Sequence, residues 1–252
     1  MSNSSRERFA AVVRSDRVDV ALACLLIGCE VEPDLDLARP LAHLDALAEE
    51  VRPLLDRGAA QALRTVLGDH AGFGGTAADF GDVRSSLLHE VLRRRRGLPI
   101  LLSVVWVEVA QRLDLPAVCL ALPGRVLADV GLGEVVDPFD GGRPVPGAPF
   151  EPVLDAVGLL TRVLTNLRVL SAGQGRSLEA TRTQLWATEL SLLLPRHPLA
   201  LRRERGELLV RLGDHLGGAA QLEHYAELVE DVDPDGSQSA LRGARQARAR
   251  LN

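Results

Sequence analysis

The spacing of apolar residues along the chain predicts a mostly helical protein interrupted by one short β-rich segment. Helical patterns cover residues 6–30, 35–50, 51–67, 83–96 and 100–113 of the first half. Further helical patterns follow at 150–170, 177–194, 199–212, 216–232 and 238–251, separated by short turns. We therefore expect an α+β fold in which helices dominate.

The helix predicted at 100–113 is apolar on nearly all sides, which indicates a central and buried position. Pro99 suits its first position, because a missing N–H is harmless there. Ser103 is the only polar side chain in its first two turns. The residues expected where this helix reaches the surface are Glu108, Gln111 and Arg112.

Three short strands are expected after this helix, at 117–122, 126–130 and 134–137. Gly131, Leu132 and Gly133 suit a tight hairpin turn between the second and third of them. Pro138 ends the third strand, because proline cannot donate to a ladder. The sequence therefore predicts a small antiparallel sheet beside the buried helix.

Two segments rich in glycine interrupt the helical and strand patterns. The segment at 68–82 predicts a surface loop, and the Pro/Gly-rich segment at 141–152 is the candidate domain boundary. We accordingly expect a domain at 1–147, including the N-terminal helices, and a second region at 148–252.

The second region contains a weak internal repeat. Residues 201–234 resemble a tetratricopeptide unit, in which 211–213 end the first helix and Ala219 and Ala220 are the small residues at the helix crossing. About two units are present, fewer than the roughly three that a free solenoid needs, so we expect helical-hairpin repeats that pack on the core.

Composition and charge narrow the functional classes. Hydrophobic residues make up 46% and charged residues 25%, the net charge is −5, and no apolar run is long enough to span a membrane. We expect a cytoplasmic protein without a membrane partner. The dispersed negative charge argues against nucleic acid as a partner, because phosphate binding needs a concentrated positive field.

The histidines and cysteines show no metal-ligand spacing, and no glycine-rich phosphate loop follows a strand, so we expect no metal and no cofactor. Cys24 and Cys29 lie in an apolar stretch and are interpreted as small buried hydrophobic residues. The run Arg93–Arg96 is interpreted as the cationic last turn of a helix that closes on Gly97 at its C′ position. Binding of nucleic acid or another anion by this run is the alternative.

A set of motifs in fixed order spans 81–143. They are DVRSS at 82–86, LHEVL at 88–92, RRRGLPILLS at 94–103, DLP at 114–116, LPGR at 122–125 and DPFDGGR at 137–143. Together they resemble the transglutaminase-like core of the SirB-type bacterial proteins. The resemblance implies a transglutaminase-like (papain-like) core with a small antiparallel sheet, followed by C-terminal helical repeats.

The departures from that family concern the residues that carry chemistry. Related transglutaminases place a catalytic cysteine at the start of the buried helix, but residues 99–103 contain none, and Leu101 replaces a serine of the SirB-type pattern. The histidine of the L-P-G-H motif is Arg125, which cannot act as a general base. Asp137, the expected partner of that base, is interpreted as an ion-pair partner of Arg125 or a turn cap. His89 replaces an asparagine and is interpreted as a solvated helix residue.

Two hypotheses of function follow. The first is a non-catalytic transglutaminase-like protein that acts as an interaction module for a protein or peptide, with a degenerate site at Ser103, Arg125 and Asp137. The second is a residual hydrolase or acyltransferase that uses Ser103 or His89 with Asp137. The missing cysteine and histidine favour the first.

Overall fold

The computed structural model describes residues 3–122, 124–131, 133–147 and 152–250. Within these ranges the chain forms eleven α-helices and one four-stranded antiparallel sheet, which confirms the predicted α+β class with helices dominant. The chain divides into two compact units, Met1–Val163 (the first unit) and Leu164–Asn252 (the second unit). The domain boundary predicted at residue 147 adjoins 148–151, which lie outside the described residues, and it stays a prediction.

The first unit begins with two helices where the sequence predicted one. Its helices are α1 (Asn3–Val12), α2 (Val20–Gly28), α3 (Ala38–Val51), α4 (Ala59–Leu63), α5 (Leu88–Arg94) and α6 (Pro99–Gln111). The helix predicted at 6–30 is divided because Asp19 caps α2: its Oδ1 accepts a hydrogen bond from the Leu22 N–H at 2.8 Å. The second pattern, at 35–50, corresponds to α3.

The segment between α3 and α5 is more varied than the sequence predicted. The pattern at 51–67 becomes a 3₁₀ turn, the short α4 and a π-helical turn at Arg64–His70. The surface loop predicted at 68–82 is partly wrong, since Phe73 and Asp79 are each only 1% exposed. Gly68 permits this packing, because a Cβ there would lie 2.2 Å from the Gly141 carbonyl oxygen.

Helix α5 is shorter than predicted and ends differently. Residues Val83–Ser86 form a 3₁₀ turn, and the left-handed residue that ends α5 is Arg95, with φ 58°, instead of Gly97. Gly97 serves close packing instead, because a Cβ there would lie 2.5 Å from Val91 Cγ2.

The sheet follows α6 as predicted. Its strands, in spatial order, are β1 (Val118–Leu122), β2 (Arg125–Asp129), β3 (Val135–Asp137) and the two-residue β4 (Arg143–Pro144). In the β1–β2 hairpin Leu122 pairs with Arg125. The predicted turn between β2 and β3 is confirmed at Gly131 and Gly133, which have positive φ, while Leu132 lies outside the described residues.

Helix α6 lies at the centre of the first unit. It begins at Pro99 as predicted, and of its thirteen residues only Gln111 is not buried. Trp106 is fully buried and meets Phe73 edge to face, with ring centroids 6.0 Å apart. The continuous apolar surface of α6 therefore forms the core against which the sheet packs.

Helix α7 (Ala156–Gly173) crosses from the first unit to the second. The second unit continues with α8 (Leu178–Leu193), α9 (Ala200–Arg211), α10 (His215–Val229) and α11 (Pro234–Ala249), matching the predicted helices. Small residues let α9 and α10 approach: a Cβ at Gly206 would lie 2.9 Å from Leu222 Cγ. Ala219 is buried as predicted, whereas Ala220 is exposed. The likeness to tetratricopeptide units stays a prediction.

Candidate functional site

The start of α6 is the place where the resemblance puts a catalytic nucleophile. Residues 99–103 carry no cysteine, and the Leu101 side chain is fully buried. The three cysteines, Cys24, Cys29 and Cys119, are all buried elsewhere, which confirms the interpretation of the first two. Burial raises the pKa of the Cys24 thiol and raises that of Cys119 to about 12. A thiol that stays protonated is a poor nucleophile.

Ser103 lies one turn into α6 and faces the sheet. Its side chain is fully buried, and its hydroxyl donates a hydrogen bond to the Val126 carbonyl oxygen at 3.0 Å. This bond connects α6 to β2. The hydroxyl is thus committed to a backbone acceptor on the neighbouring strand, which fixes the helix against the sheet.

Arg125 and Asp137 lie across the sheet, on β2 and at the end of β3. Arg125 Nη1 is 3.7 Å from Asp137 Oδ2, and the Arg125 side chain is 47% exposed. This is the ion pair that the sequence predicted. A guanidinium has no acceptor and stays charged, so Arg125 cannot take a proton from Ser103.

Asp137 also caps the turn that follows β3. Its Oδ1 accepts a hydrogen bond from the Phe139 N–H at 3.0 Å, and its carbonyl oxygen accepts one from the Gly142 N–H at 2.8 Å. The turn-cap interpretation of Asp137 is therefore confirmed together with the ion pair. Both roles are structural, and they hold the 138–142 turn against Trp106.

His89 is buried, which corrects the expectation of a solvated helix residue. Only 2% of its side chain is exposed, because α5 packs on α2 and a Cβ at Gly28 would lie 2.3 Å from His89 Nδ1. The other ring nitrogen, Nε2, lies 3.8 Å from Glu32 Oε2. Both nitrogens are thus directed to α2 and the segment that follows it, while the Ser103 hydroxyl donates to Val126. Burial lowers the pKa of His89 and favours the neutral imidazole.

The run Arg93–Arg96 is engaged largely in ion pairs. Arg94 lies 3.0 Å from Asp82, and Arg96 lies 3.1 Å from Asp79. Although burial raises the pKa of Asp79, hydrogen bonds from the Thr76 N–H and from Arg96 lower it below the usual range. Local ion pairs therefore engage both of these arginines.

Arg93 is paired as well, with Glu90 at 3.0 Å and Glu32 at 3.1 Å. Arg95 differs from its neighbours: among the described residues no carboxylate lies within 4.0 Å of its guanidinium. The run therefore carries one unpaired cation, at the residue with left-handed backbone.

Glu108 is a buried charge that the sequence analysis placed at the surface. Its Oε1 accepts a hydrogen bond from the Ala21 N–H at 3.1 Å, and its Oε2 accepts one from Arg112 at 2.6 Å. Burial raises the pKa of Glu108, and the bond from Arg112 opposes that rise. The sequence did contain a sign of this burial: Glu108 is the only carboxylate in a mostly apolar helix, and Arg112, four positions later, can pair with it.

Three clefts of about 560, 580 and 780 Å³ are lined by described residues, and Ser103, Arg125 and Asp137 line none of these three. His89 lines the cleft of about 580 Å³. Within the described ranges, no group of three or more His, Cys, Asp or Glu residues is placed to hold a metal ion. None of the helices in that part of the chain is long and apolar enough to cross a membrane.

Comparison with known proteins gives the family. Residues 39–167 match the sequence profile of the transglutaminase-like superfamily. A UPF0162 protein of Xylella fastidiosa (strain Temecula1) is 30% identical over 247 residues, which cover 86% of each chain. A UPF0162 protein of Pseudomonas aeruginosa is 38% identical over 128 residues, covering 48% of this chain and 47% of that protein. No solved structure gives a significant match.

The matched residues include α6, the whole sheet and the Arg125–Asp137 pair, so profile and fold concern the same part of the molecule. The chain belongs to the transglutaminase-like superfamily and is similar to the UPF0162 proteins along most of its length.

Proposed function

We propose that this chain is a non-catalytic member of its superfamily, a SirB-type protein that acts as an interaction module for a protein or peptide. The observation that carries the proposal is the distribution of exposed apolar side chains. Ten large apolar residues in the described ranges are exposed, and seven of them belong to the second unit. These seven are Val169, Leu178, Leu199, Leu216, Leu228, Val232 and Leu241.

Three of these residues share one end of the helical array. Leu199 precedes α9, Leu228 lies in the last turn of α10, and Val232 lies in the connection to α11. Consecutive helices joined by short turns run antiparallel, so these positions meet at the same end, which we name the apolar end. Val232 is 79% exposed, and apolar groups gathered in this way are typical of protein contact surfaces.

The state of the transglutaminase-like core supports the non-catalytic part of the proposal. Acyl transfer needs a nucleophile and a base that exchanges protons near neutral pH. Ser103 donates its hydroxyl hydrogen to the Val126 backbone, and Arg125 stands where the resemblance leads us to expect the base. The tetratricopeptide-like character of the second unit belongs to the same proposal, because such helical arrays present surfaces to peptides.

The test uses the purified full chain as bait in a lysate of the organism that encodes it. A captured protein is then purified, and its affinity is measured for the wild type and two variants. The Val232→Asp variant alters the apolar end, and Val31→Asp is the matched control, since Val31 is 54% exposed in the first unit.

We expect Val232→Asp to weaken binding by about tenfold or more, and Val31→Asp to leave it unchanged. Equal binding by the wild type and Val232→Asp would contradict a docking role for the apolar end. Turnover of an ester or amide by the wild type that is lost in Ser103→Ala or His89→Ala would establish the hydrolase or acyltransferase instead.

A further inference from the structure

A cleft of about 580 Å³ lies between the segment that joins α2 to α3, the first turns of α3 and the end of α5. We name it the His89 cleft. The residues in it that bear on ligand chemistry are Glu32, Arg39, His43, His89, Arg93 and Arg95. Its volume suits a small organic molecule.

Two arginines of the His89 cleft are not neutralised by the protein. Arg39 and Arg95 are both exposed, and in the part of the chain that the structure describes no carboxylate lies within 4.0 Å of either. Arg93 is different, because it is held by Glu32 and Glu90. Glu32 is thus already paired, which leaves two guanidinium groups available to an anion.

The remaining carboxylate of the cleft has a local role. Asp36 Oδ1 accepts a hydrogen bond from the Ala38 N–H at 3.0 Å, which forms a local turn just before α3. Even with Asp36 charged, the cationic groups of the cleft outnumber the anionic ones once Glu32 and Arg93 are counted as a pair.

Two imidazoles add polar groups that can respond to an anion. His89 is buried with its Nδ1 against Gly28 of α2, and its Nε2 lies 3.8 Å from Oε2 of Glu32, a residue of the cleft. His43 is half-buried on α3. Burial lowers the pKa of both residues, and the charge of Arg95 adds to this for His43. Neutral imidazoles among arginines can donate N–H groups to an oxyanion.

The backbone at Arg95 is an independent sign that this side chain has a special position. Arg95 is one of two non-glycine residues in the described ranges with positive φ, the other being Asp114. Left-handed backbone is unfavourable for a residue with a Cβ, and such residues cluster at functional sites.

We propose that the His89 cleft binds a small phosphomonoester, whose phosphate group is held by Arg39 and Arg95 beside the imidazoles of His43 and His89. A phosphomonoester carries nearly two negative charges near neutral pH and so matches two guanidinium groups, whereas a monocarboxylate matches one. Arginine binds phosphate oxygens through paired N–H donors. The cleft involves neither Ser103 nor the apolar end, so the phosphate site and the proposed function are independent and are tested separately.

The test is a titration of the full chain with phenyl phosphate, followed by calorimetry and by NMR of the imidazole resonances. We expect saturable binding and a shift of the His43 and His89 resonances. Arg39→Ala and Arg95→Gly should each weaken binding about tenfold or more, as expected for one charge-assisted hydrogen-bonding group. Arg95→Gly removes the side chain while suiting the left-handed backbone, so the fold should be preserved.

Arg14→Ala is the matched control. Arg14 is exposed and, among the described residues, also has no carboxylate within 4.0 Å, but it lies outside the His89 cleft. We expect its affinity for phenyl phosphate to equal that of the wild type. An equal loss in Arg14→Ala would overturn the site in favour of non-specific charge attraction.

Three further outcomes would also overturn the proposal. One is no saturation with phenyl phosphate at about 10 mM. Another is equal affinity for benzoate, which would indicate a general carboxylate site. The third is much tighter binding of a single-stranded RNA oligonucleotide with a steep dependence on salt, which would indicate nucleic acid as the ligand. Inorganic phosphate serves as a further probe: binding as tight as that of phenyl phosphate would assign the site to free phosphate.

Discussion

The hydroxyl of Ser103 donates a hydrogen bond to the backbone carbonyl of Val126, 3.0 Å away, and both residues are buried. This bond joins the central helix to the sheet close to the start of α6, where the resemblance to transglutaminases puts a nucleophile. A serine that serves as a nucleophile needs its proton directed to a base. Here the hydroxyl hydrogen of Ser103 points to a carbonyl oxygen of β2, so Ser103 helps to hold α6 against the sheet.

Removal of the Glu108 carboxylate should destabilise the first unit strongly. In Glu108→Ala the Ala21 N–H loses its acceptor and the half-buried Arg112 loses a partner, so we expect a loss of about 3 kcal/mol in the free energy of unfolding. Urea denaturation measures it. Glu49→Ala is the matched control, because Glu49 pairs with Arg52 on the surface, and it should have a far smaller effect. Similar effects of the two variants would contradict the role given to Glu108.

Asp137 should tolerate loss of charge better than loss of its cap. Asp137→Asn keeps an oxygen that can accept from the Phe139 N–H and loses only the attraction to the half-exposed Arg125, so we expect a change within about 0.5 kcal/mol. Asp137→Ala loses the cap and should be destabilised by about 1 kcal/mol. Thermal unfolding of both variants checks this. If Asp137→Asn were as unstable as Asp137→Ala, the charge would be the important feature.

The buried His89 should make stability depend on pH on the acid side. Its pKa in the folded protein is lower than in the unfolded chain, first because of burial, so below about pH 6.5 the unfolded chain binds more protons. The free energy of unfolding should therefore decrease as the pH is lowered below about 6.5, by at most about 1.4 kcal/mol per pH unit for one proton.

The variant His89→Asn should reduce this acid-side loss. His70→Asn, at an exposed position, should leave the pH profile unchanged. Denaturation midpoints measured between pH 7.5 and 5 at constant ionic strength would show the difference. A steeper profile in His89→Asn than in the wild type would contradict a buried neutral imidazole.

Because Gly68 lies so close to Gly141, a residue with a side chain at position 68 should destabilise the protein. In Gly68→Ala a Cβ would lie 2.2 Å from the Gly141 carbonyl oxygen, so the backbone must shift, and we expect a loss of about 2 kcal/mol. Gly81→Ala is the control, because no atom lies within 4 Å of a Cβ there. Its stability, compared by urea denaturation, should match the wild type or exceed it slightly. Equal losses at the two positions would contradict the packing described for this turn.

Local patterns predicted the elements that depend on nearby residues. Pro99 and the mostly apolar run after it place α6 correctly, and the turn glycines Gly131 and Gly133 place the hairpin between β2 and β3. The pairing of Arg125 with Asp137 also follows from their positions at either side of this hairpin. In each case the information lies within a few residues of the element concerned.

Burial of polar groups could not be predicted in the same way. Glu108 is buried because the Ala21 N–H, 87 positions earlier, satisfies its carboxylate. His89 is buried because Gly28 lets α2 approach α5. The left-handed residue after α5 is Arg95 and not Gly97, because Gly97 is needed where its Cα packs on Val91. These outcomes depend on tertiary contacts, which a single sequence does not display.

The most direct test of the account is the rate at which the purified wild-type chain hydrolyses a panel of activated esters and amides, compared with Ser103→Ala under the same conditions. We expect the two rates to be equal and no higher than that of the solvent reaction, because the Ser103 hydroxyl donates its hydrogen to Val126 and not to a base. Turnover by the wild type that Ser103→Ala abolishes, with the variant shown to be folded, would contradict it.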